Sequence, residues 1–308
     1  MSRPLITAIG SFPPEGRTPE ESLSYYVKLQ LELGFDLITD GEARHDMISY
    51  LAGDIPGLGF TGNKPAVVGR ITEPKKPGEC LKVKDLTLVK DLLGEKDSDK
   101  PIKIAVTGPV TLGFTCALVG SGPYNGPIDP ALYDDLALSL GSLASFLQSS
   151  GAIVQIDEPG LSGGFMDPTK GVNHLHRMTS CLDPGRTVVH VCGRISRRLN
   201  DELLRLEGTS ILSHAFASSP ENLGILDRKR FLEAGKSLGV GIVRVGITKP
   251  ETVDSPQEIA TLLGSIRGRI GEDLIRYVHP DCGLRSTNVG AAIALLTNLS
   301  RAMGTSAE

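Results

Sequence analysis

Eight short apolar runs rich in β-branched residues, most of them followed by a longer amphipathic stretch, leave this 308-residue chain few folds to choose from. The runs cover residues 5–9, 35–39, 102–107, 153–156, 187–191, 210–212, 240–245 and 274–278. Helical patterns cover 19–33, 130–149, 194–206, 221–238, 256–267 and 287–303. Strands separated by helices pair in parallel, because each helix carries the chain back across the sheet in a right-handed crossover. The expected fold class is therefore α/β, and eight such units match a closed (β/α)8 TIM barrel. An open doubly wound sheet competes with it, but no Gly-x-Gly-x-x-Gly fingerprint follows the first strand. Residues 43–99 break the alternation. Their glycines and prolines, and a hairpin-like pair of segments at 66–71 and 79–84, predict an insertion after the second strand. It would act as a lid on a single catalytic domain spanning residues 1–308.

Composition narrows the function. A net charge of -4, without a basic stripe, argues against a nucleic-acid partner. Arg194, Arg197 and Arg198 read as the solvated face of one helix. No apolar run approaches the length of a membrane span, and Met1-Ser2-Arg3-Pro4 does not open a signal peptide, so a cytoplasmic location without membrane partners is expected. Five scattered cysteines (Cys80, Cys116, Cys181, Cys192, Cys282) do not form a disulfide framework.

The strand ends carry the chemistry. In order they read Gly10-Ser11, Asp40-Gly41-Glu42, Thr107-Gly108-Pro109, Asp157-Glu158-Pro159, His190-Val191-Cys192-Gly193, Ser213-His214, residues 244–248, and His279-Pro280-Asp281-Cys282-Gly283. A barrel enzyme builds its site at this C-terminal face. His190 and Cys192, two apart on a strand, share a face, and Cys282 ends the eighth strand. An imidazole and two thiolates are ligands zinc prefers, leaving a position for substrate. His214 is either a fourth ligand or a hydrogen-bond partner, and His279 is a candidate partner as well. His45 could line the pocket mouth, whereas His174 and His176 read as surface residues and Cys116 and Cys181 as inert. A thiolate-rich zinc ion suits activation of a substrate thiol. Glu42, Asp157 and Glu158 would then recognise a cation such as an amino-acid ammonium, and Ile9, Gly10 and Ser11 would hold the matching carboxylate.

Six motifs occur in order: Ile9-Gly10-Ser11-Phe12-Pro13, Asp40-Gly41-Glu42-Ala43-Arg44-His45-Asp46-Met47, Thr107-Gly108-Pro109-Val110-Thr111, Gln155-Ile156-Asp157-Glu158-Pro159, His190-Val191-Cys192-Gly193 and Pro280-Asp281-Cys282-Gly283-Leu284. Together they resemble the catalytic C-terminal domain of cobalamin-independent methionine synthase. The resemblance implies a zinc barrel that methylates homocysteine to methionine. On it, His190, Cys192 and Cys282 match the metal ligands. Glu42 and Asp157 match the positions that hold the homocysteine ammonium, and Ile9 to Ser11 the segment that holds its carboxylate.

The chain departs from the family on the methyl-donor side. The family's additional N-terminal barrel, which helps bind polyglutamyl folate, is not expected here. A family glutamate ligand falls within Ser213-His214-Ala215-Phe216-Ala217, on His214 or Ala215 according to register. A family histidine that serves the folate is replaced by the stretch Gly246-Ile247-Thr248-Lys249, and Gly160-Leu161-Ser162-Gly163-Gly164 is also unusual. These departures lead us to expect methylcobalamin or a methylated corrinoid protein as donor. Two other readings compete. One is a zinc methyltransferase acting on another thiol such as coenzyme M; the other is a non-catalytic zinc protein that binds a thiol.

Overall fold

Runs of β-branched and aliphatic residues buried on both faces form the strands of a parallel sheet whose helices cover its outside. The computed structural model describes residues 3–14, 16–96 and 98–305, so Met1, Ser2, Glu15, Asp97 and the last three residues of the expected domain lie outside the described residues. The strands are β1 (Leu5–Ile6), β2 (Ile38–Thr39), β3 (Leu58–Thr61), β4 (Lys64–Val67), β5 (Ile102–Thr107), β6 (Ile153–Asp157), β7 (Thr187–Val191), β8 (Ile211–Ala215), β9 (Ser237–Val243) and β10 (Ile275–Pro280). The helices are α1 (Pro19–Glu32), α2 (Met47–Ala52), α3 (Leu81–Gly94), α4 (Pro109–Ala117), α5 (Pro130–Ser149), α6 (Pro159–Ser162), α7 (Pro168–Thr179), α8 (Arg197–Leu204), α9 (Arg228–Glu233), α10 (Pro256–Ile270) and α11 (Val289–Ala302).

Eight strands form one parallel sheet in the order β1-β10-β9-β8-β7-β6-β5-β2. A parallel bridge between Thr7 and Leu37, with Asp36 and Leu37 N–H groups donating to the Ile6 carbonyl at 3.0 and 3.2 Å, brings the two edges together. The expected (β/α)8 barrel is therefore the observed architecture. Local chemistry sets the helix starts. Thr18 and Glu21 form a capping box ahead of Pro19, as Ser255 and Glu258 do ahead of Pro256. No helix among the described residues is long and apolar enough to cross a membrane.

Two local expectations fail. The hairpin in the 43–99 segment pairs β3 with β4, from Leu58↔Val67 to Thr61↔Lys64, rather than 66–71 with 79–84. Residues 79–84 instead lead into α3, whose buried face (Val83, Leu86, Val89, Leu93) has helical spacing. The expected helix at 221–238 is a short 3-10 turn at Pro220–Ile225, helix α9, and the beginning of β9. Gly235, at φ 63°, ends that helix early because glycine tolerates the left-handed turn the chain takes there.

Candidate functional site

The period-two alternation of the strands decides which side chains meet inside the barrel. Lys103, Ala105 and Thr107 share one face of β5; Gln155 and Asp157 stand beside them on β6, and Asp157 is in register with His190 of β7. His190 is in turn in register with Ser213 of β8. Above these residues opens a cavity of about 420 Å³, lined on one side by Ile9, Ser11, Glu42, Asp157 and Pro159. His190, Cys192, Cys282 and Gly283 line another side, and Asp46, Met47, Arg285 and Ser286 also border it.

One ligand atom each from His190, Cys192 and Cys282 lie within 4.8 Å of one another. His190 is buried, and among the described residues its Nε2 has no hydrogen-bond partner. The hydrogen-bond chain behind it assigns the tautomer. His279 Nδ1 sits 2.7 Å from the Pro280 carbonyl, which can only accept, so Nδ1 carries the hydrogen. Burial pushes the His279 ring down to about 3, which leaves it neutral with Nε2 as an acceptor. Ser213 Oγ, 2.8 Å away, donates to that Nε2 and accepts from His190 Nδ1 at 2.9 Å. His190 therefore turns a bare lone pair toward the two sulfurs, and burial holds its pKa well below the usual value. The hydrogen bond with Cys192 raises the Cys282 pKa far above its ordinary value, and the same bond lowers that of Cys192. An imidazole lone pair and two adjoining sulfurs form a donor set that fits a thiophilic divalent cation. Ser213→Ala removes the group that fixes the ring, so metal affinity is expected to fall about 10- to 100-fold in a chelator competition.

Backbone anchors hold the ligands. The Asp281 carboxylate accepts from the N–H groups of Phe216, Ala217 and Ser218 at 3.1, 3.1 and 2.5 Å, which docks the loop bearing Cys282 onto the end of β8. A β-carbon on Gly283 would stand 2.2 Å from Ser11 Oγ, so any other residue there would force the Ser11 hydroxyl to turn away from the Cys282 loop.

His214 does not join the ligand group. It alternates to the face of β8 opposite Ser213, and its Nδ1 lies 3.2 Å from the Val191 carbonyl. Ala215 is the residue that shares the Ser213 face, so among the described residues the cluster has three members. This corrects the expectation of His214 as a ligand.

The three carboxylates expected around the pocket take different places. Glu42 is buried at φ 45°, a left-handed conformation that costs a residue bearing a β-carbon about 1–2 kcal/mol and turns its side chain into the cavity. Its Oε1 accepts from the buried Lys82 of α3 at 2.7 Å, and its Oε2 lies 3.3 Å from where a β-carbon on Gly10 would be. Lys82 also stands 3.4 Å from Asp40 and 4.0 Å above the Tyr50 ring. Asp157 Oδ1 accepts from Gln155 Nε2 at 2.7 Å; burial and, after it, the neighbouring Glu42 charge raise its pKa well above the carboxylate range.

Glu158 turns away from the cavity, correcting its expected role in substrate binding. It accepts from the Val110 and Thr111 N–H groups at 3.0 and 2.6 Å and from the Thr111 hydroxyl, sealing the first turn of α4. Gly108 is obligatory beside it, because a β-carbon there would come within 2.2 Å of Glu158 Oε2. Every partner of this carboxylate donates. Glu158→Gln must turn an NH2 toward a donor, so it is expected to cost about 1.5–3 kcal/mol of unfolding free energy in urea while metal content stays unchanged.

Of the remaining expectations, Ile9 and Ser11 line the cavity and Gly10 lies between them. His45 stacks edge-on against Tyr50, and its carbonyl accepts from Arg285 at 3.1 Å. His174 is half-buried beside Asp134 at 3.0 Å. Cys116 is buried and Cys181 exposed. Lys82, Lys103, Gln155 and Ser213 were missed as functional candidates. Lys103 and Gln155 had a signal, being polar residues inside otherwise apolar strands; Lys82 sits on the helix that was not anticipated.

Residues 15–305 match the family model described as the cobalamin-independent synthase, catalytic domain. The methionine synthase of Methanothermobacter thermautotrophicus is 31% identical over 97% of this chain and 99% of its own. A Campylobacter jejuni protein named 5-methyltetrahydropteroyltriglutamate–homocysteine methyltransferase is 25% identical over 91% of this chain and 38% of its own length. Among solved structures, a B12-independent methionine synthase from Shewanella sp. W3-18-1, in complex with selenomethionine, shares the fold at a TM-score of 0.76. It is 20% identical over 99% of this chain and 97% of its own. The family description overturns the expectation of methylcobalamin or a corrinoid protein as methyl donor, because that expectation rested only on family features not found on the donor side. With its barrel, its strand-end motifs and a family match across nearly its whole length, the chain is a methyltransferase and belongs to the cobalamin-independent synthase catalytic-domain family.

Proposed function

We propose that this protein transfers a methyl group to the thiol of homocysteine, forming methionine, at a zinc ion held by His190, Cys192 and Cys282. The observation that carries the reading is the meeting of these three ligand atoms with two buried carboxylates, Glu42 and Asp157, around one cavity. Zinc bound there lowers the pKa of a coordinated substrate thiol, supplying a thiolate near neutral pH. The chain's own residues do the rest. Glu42 Oε2 and Asp157 accept hydrogen bonds from the acceptor's ammonium, whose positive charge favours the ionised form that burial and Glu42 disfavour at Asp157, while Lys82 fixes Glu42 through its other oxygen. Ser11 and the strand-end backbone from Ile9 offer hydrogen bonds to the carboxylate. With both ends of the amino acid held, its sulfur is directed at the cluster, and the methyl carbon is approached from the open side of the cavity.

For the donor we propose a methylated reduced pterin, the class that gives the longer relatives their name. The sulfur–carbon bond forms as the carbon–nitrogen bond to the pterin breaks, and the released nitrogen takes up the proton lost by the thiol. We also read the chain as one catalytic domain, with residues 43–99 as a lid. Asp46 and Met47 border the cavity, and Arg285 ties this segment to the Cys282 loop.

The test is incubation of zinc-loaded protein with L-homocysteine and a methyltetrahydropteroyl polyglutamate, with methionine measured by mass spectrometry. Methionine formation supports the reading. Its absence, or its formation from methylcobalamin but not from the pterin, overturns the donor assignment; homocysteine binding without turnover on any donor overturns the enzymatic one.

A further inference from the structure

Below the cavity, the wholly buried Lys103 makes contacts that the reaction outlined above does not use. Its Nζ donates to the Ala8 carbonyl at 2.7 Å and to Gln155 Oε1 at 2.5 Å. Because the lysine occupies the oxygen of the Gln155 amide, the NH2 end must point the other way. There its two hydrogens go to the Ile9 carbonyl at 3.0 Å and to Asp157 Oδ1 at 2.7 Å. One lysine and one amide thus bind two successive carbonyls of the segment entering Ser11 and, at the same time, the carboxylate of Asp157. These are the two halves of the amino-acid clamp, contributed by strands far apart in sequence.

We propose that Lys103 is a positioning residue for acceptor recognition: by orienting the Gln155 amide it sets Asp157 and the Ile9–Ser11 segment at the separation an α-amino acid requires. This rests on the homocysteine reading. A reversed amide would turn its oxygen toward Asp157 and the Ile9 carbonyl, two acceptors, and its NH2 toward the lysine, so both ends oppose the flip and Lys103 anchors the oxygen end. Both contacts of Lys103 are satisfied whether its amine carries two protons or three. Among the described residues none of its hydrogen bonds reaches the metal ligands, and its charge acts on His190 only after burial and the neighbouring imidazoles, so its loss falls first on the amino-acid end of the substrate.

The test compares two thiols on the zinc-loaded wild type and Lys103→Met by calorimetry. L-Homocysteine carries the amino-acid group; 2-mercaptoethanol does not. Homocysteine binding is expected to weaken roughly 10- to 100-fold, comparable to removal of a partner that orients a metal ligand. Zinc content and 2-mercaptoethanol affinity should stay at wild-type values. Unchanged homocysteine affinity, or an equal loss for both thiols, overturns the inference alone. Failure of the wild type to bind homocysteine overturns the acceptor reading and this inference with it. Should Lys103→Met not fold, the same pair of titrations on Gln155→Met decides. That variant keeps the Lys103 bond to Ala8 but removes the link to Asp157, and wild-type homocysteine affinity in it overturns the proposal.

Discussion

Cys282→Ser is expected to remove metal and methyl transfer together. Serine is close in size to cysteine, but its hydroxyl does not ionise near neutral pH and is a poor partner for a thiophilic ion. His190 and Cys192 would remain as two ligands of the three that cluster. Losing an orienting partner behind a ligand already costs about 10- to 100-fold in affinity, so losing a ligand itself should cost more than about 100-fold. Zinc measured by mass spectrometry after dialysis against a competing chelator should fall to background, with methionine formation falling alongside it. Cys181→Ser is the control, because Cys181 is exposed and outside the cluster, and it should keep its metal. A Cys282→Ser protein holding one zinc per chain through the same dialysis would show that the sulfur is not a ligand.

Asp157→Asn should separate substrate binding from metal binding. The amide keeps the size of the side chain, and its oxygen can still accept from Gln155. Its NH2 would then face the cavity, opposing an ammonium with a donor where a carboxylate stood. Truncating one partner of a buried, hydrogen-bonded charge pair costs about 2–5 kcal/mol. At tenfold per 1.4 kcal/mol, homocysteine affinity is expected to fall roughly 30- to 4,000-fold. Zinc content should be unchanged, since Asp157 is not in the ligand cluster. Homocysteine affinity within threefold of wild type would remove Asp157 from the clamp.

Both expectations show which parts of the site were legible in the chain. His190 and Cys192 could be paired from spacing alone, because a strand presents alternate residues to one face. Cys282 required the count of strands, since it meets the other two only where β10 stands in the closed ring. Glu158 and His214 were misjudged for one reason: each neighbours a residue facing the barrel interior, and a shift of one position along the chain there reverses the face. Glu158 is taken up by the N–H groups of α4, and His214 lies on the outer side of β8. Lys82 was hidden because the 43–99 segment combines turn residues with an amphipathic helix, and no local pattern announces that a helix will deliver a cation to Glu42 from forty positions away.

What the sequence determined by itself was the architecture and the chemical type of the site. Alternating strand and helix patterns admit few arrangements, and eight units of that length close into a barrel whose polar strand ends must gather at one rim. Hydrophobic period and ligand chemistry are local properties, written residue by residue. Only the tertiary structure decided which polar groups serve the substrate and which serve the fold. Whether a buried carboxylate is free for an ammonium or already spoken for by backbone N–H groups depends on partners brought in from elsewhere in the chain. The Lys103–Gln155–Asp157 chain, the Ser213 bridge between two imidazoles, and the Lys82 grip on Glu42 each join residues from separate strands or helices. A hydrogen bond is short and directional, and such a match exists only once the ring has closed.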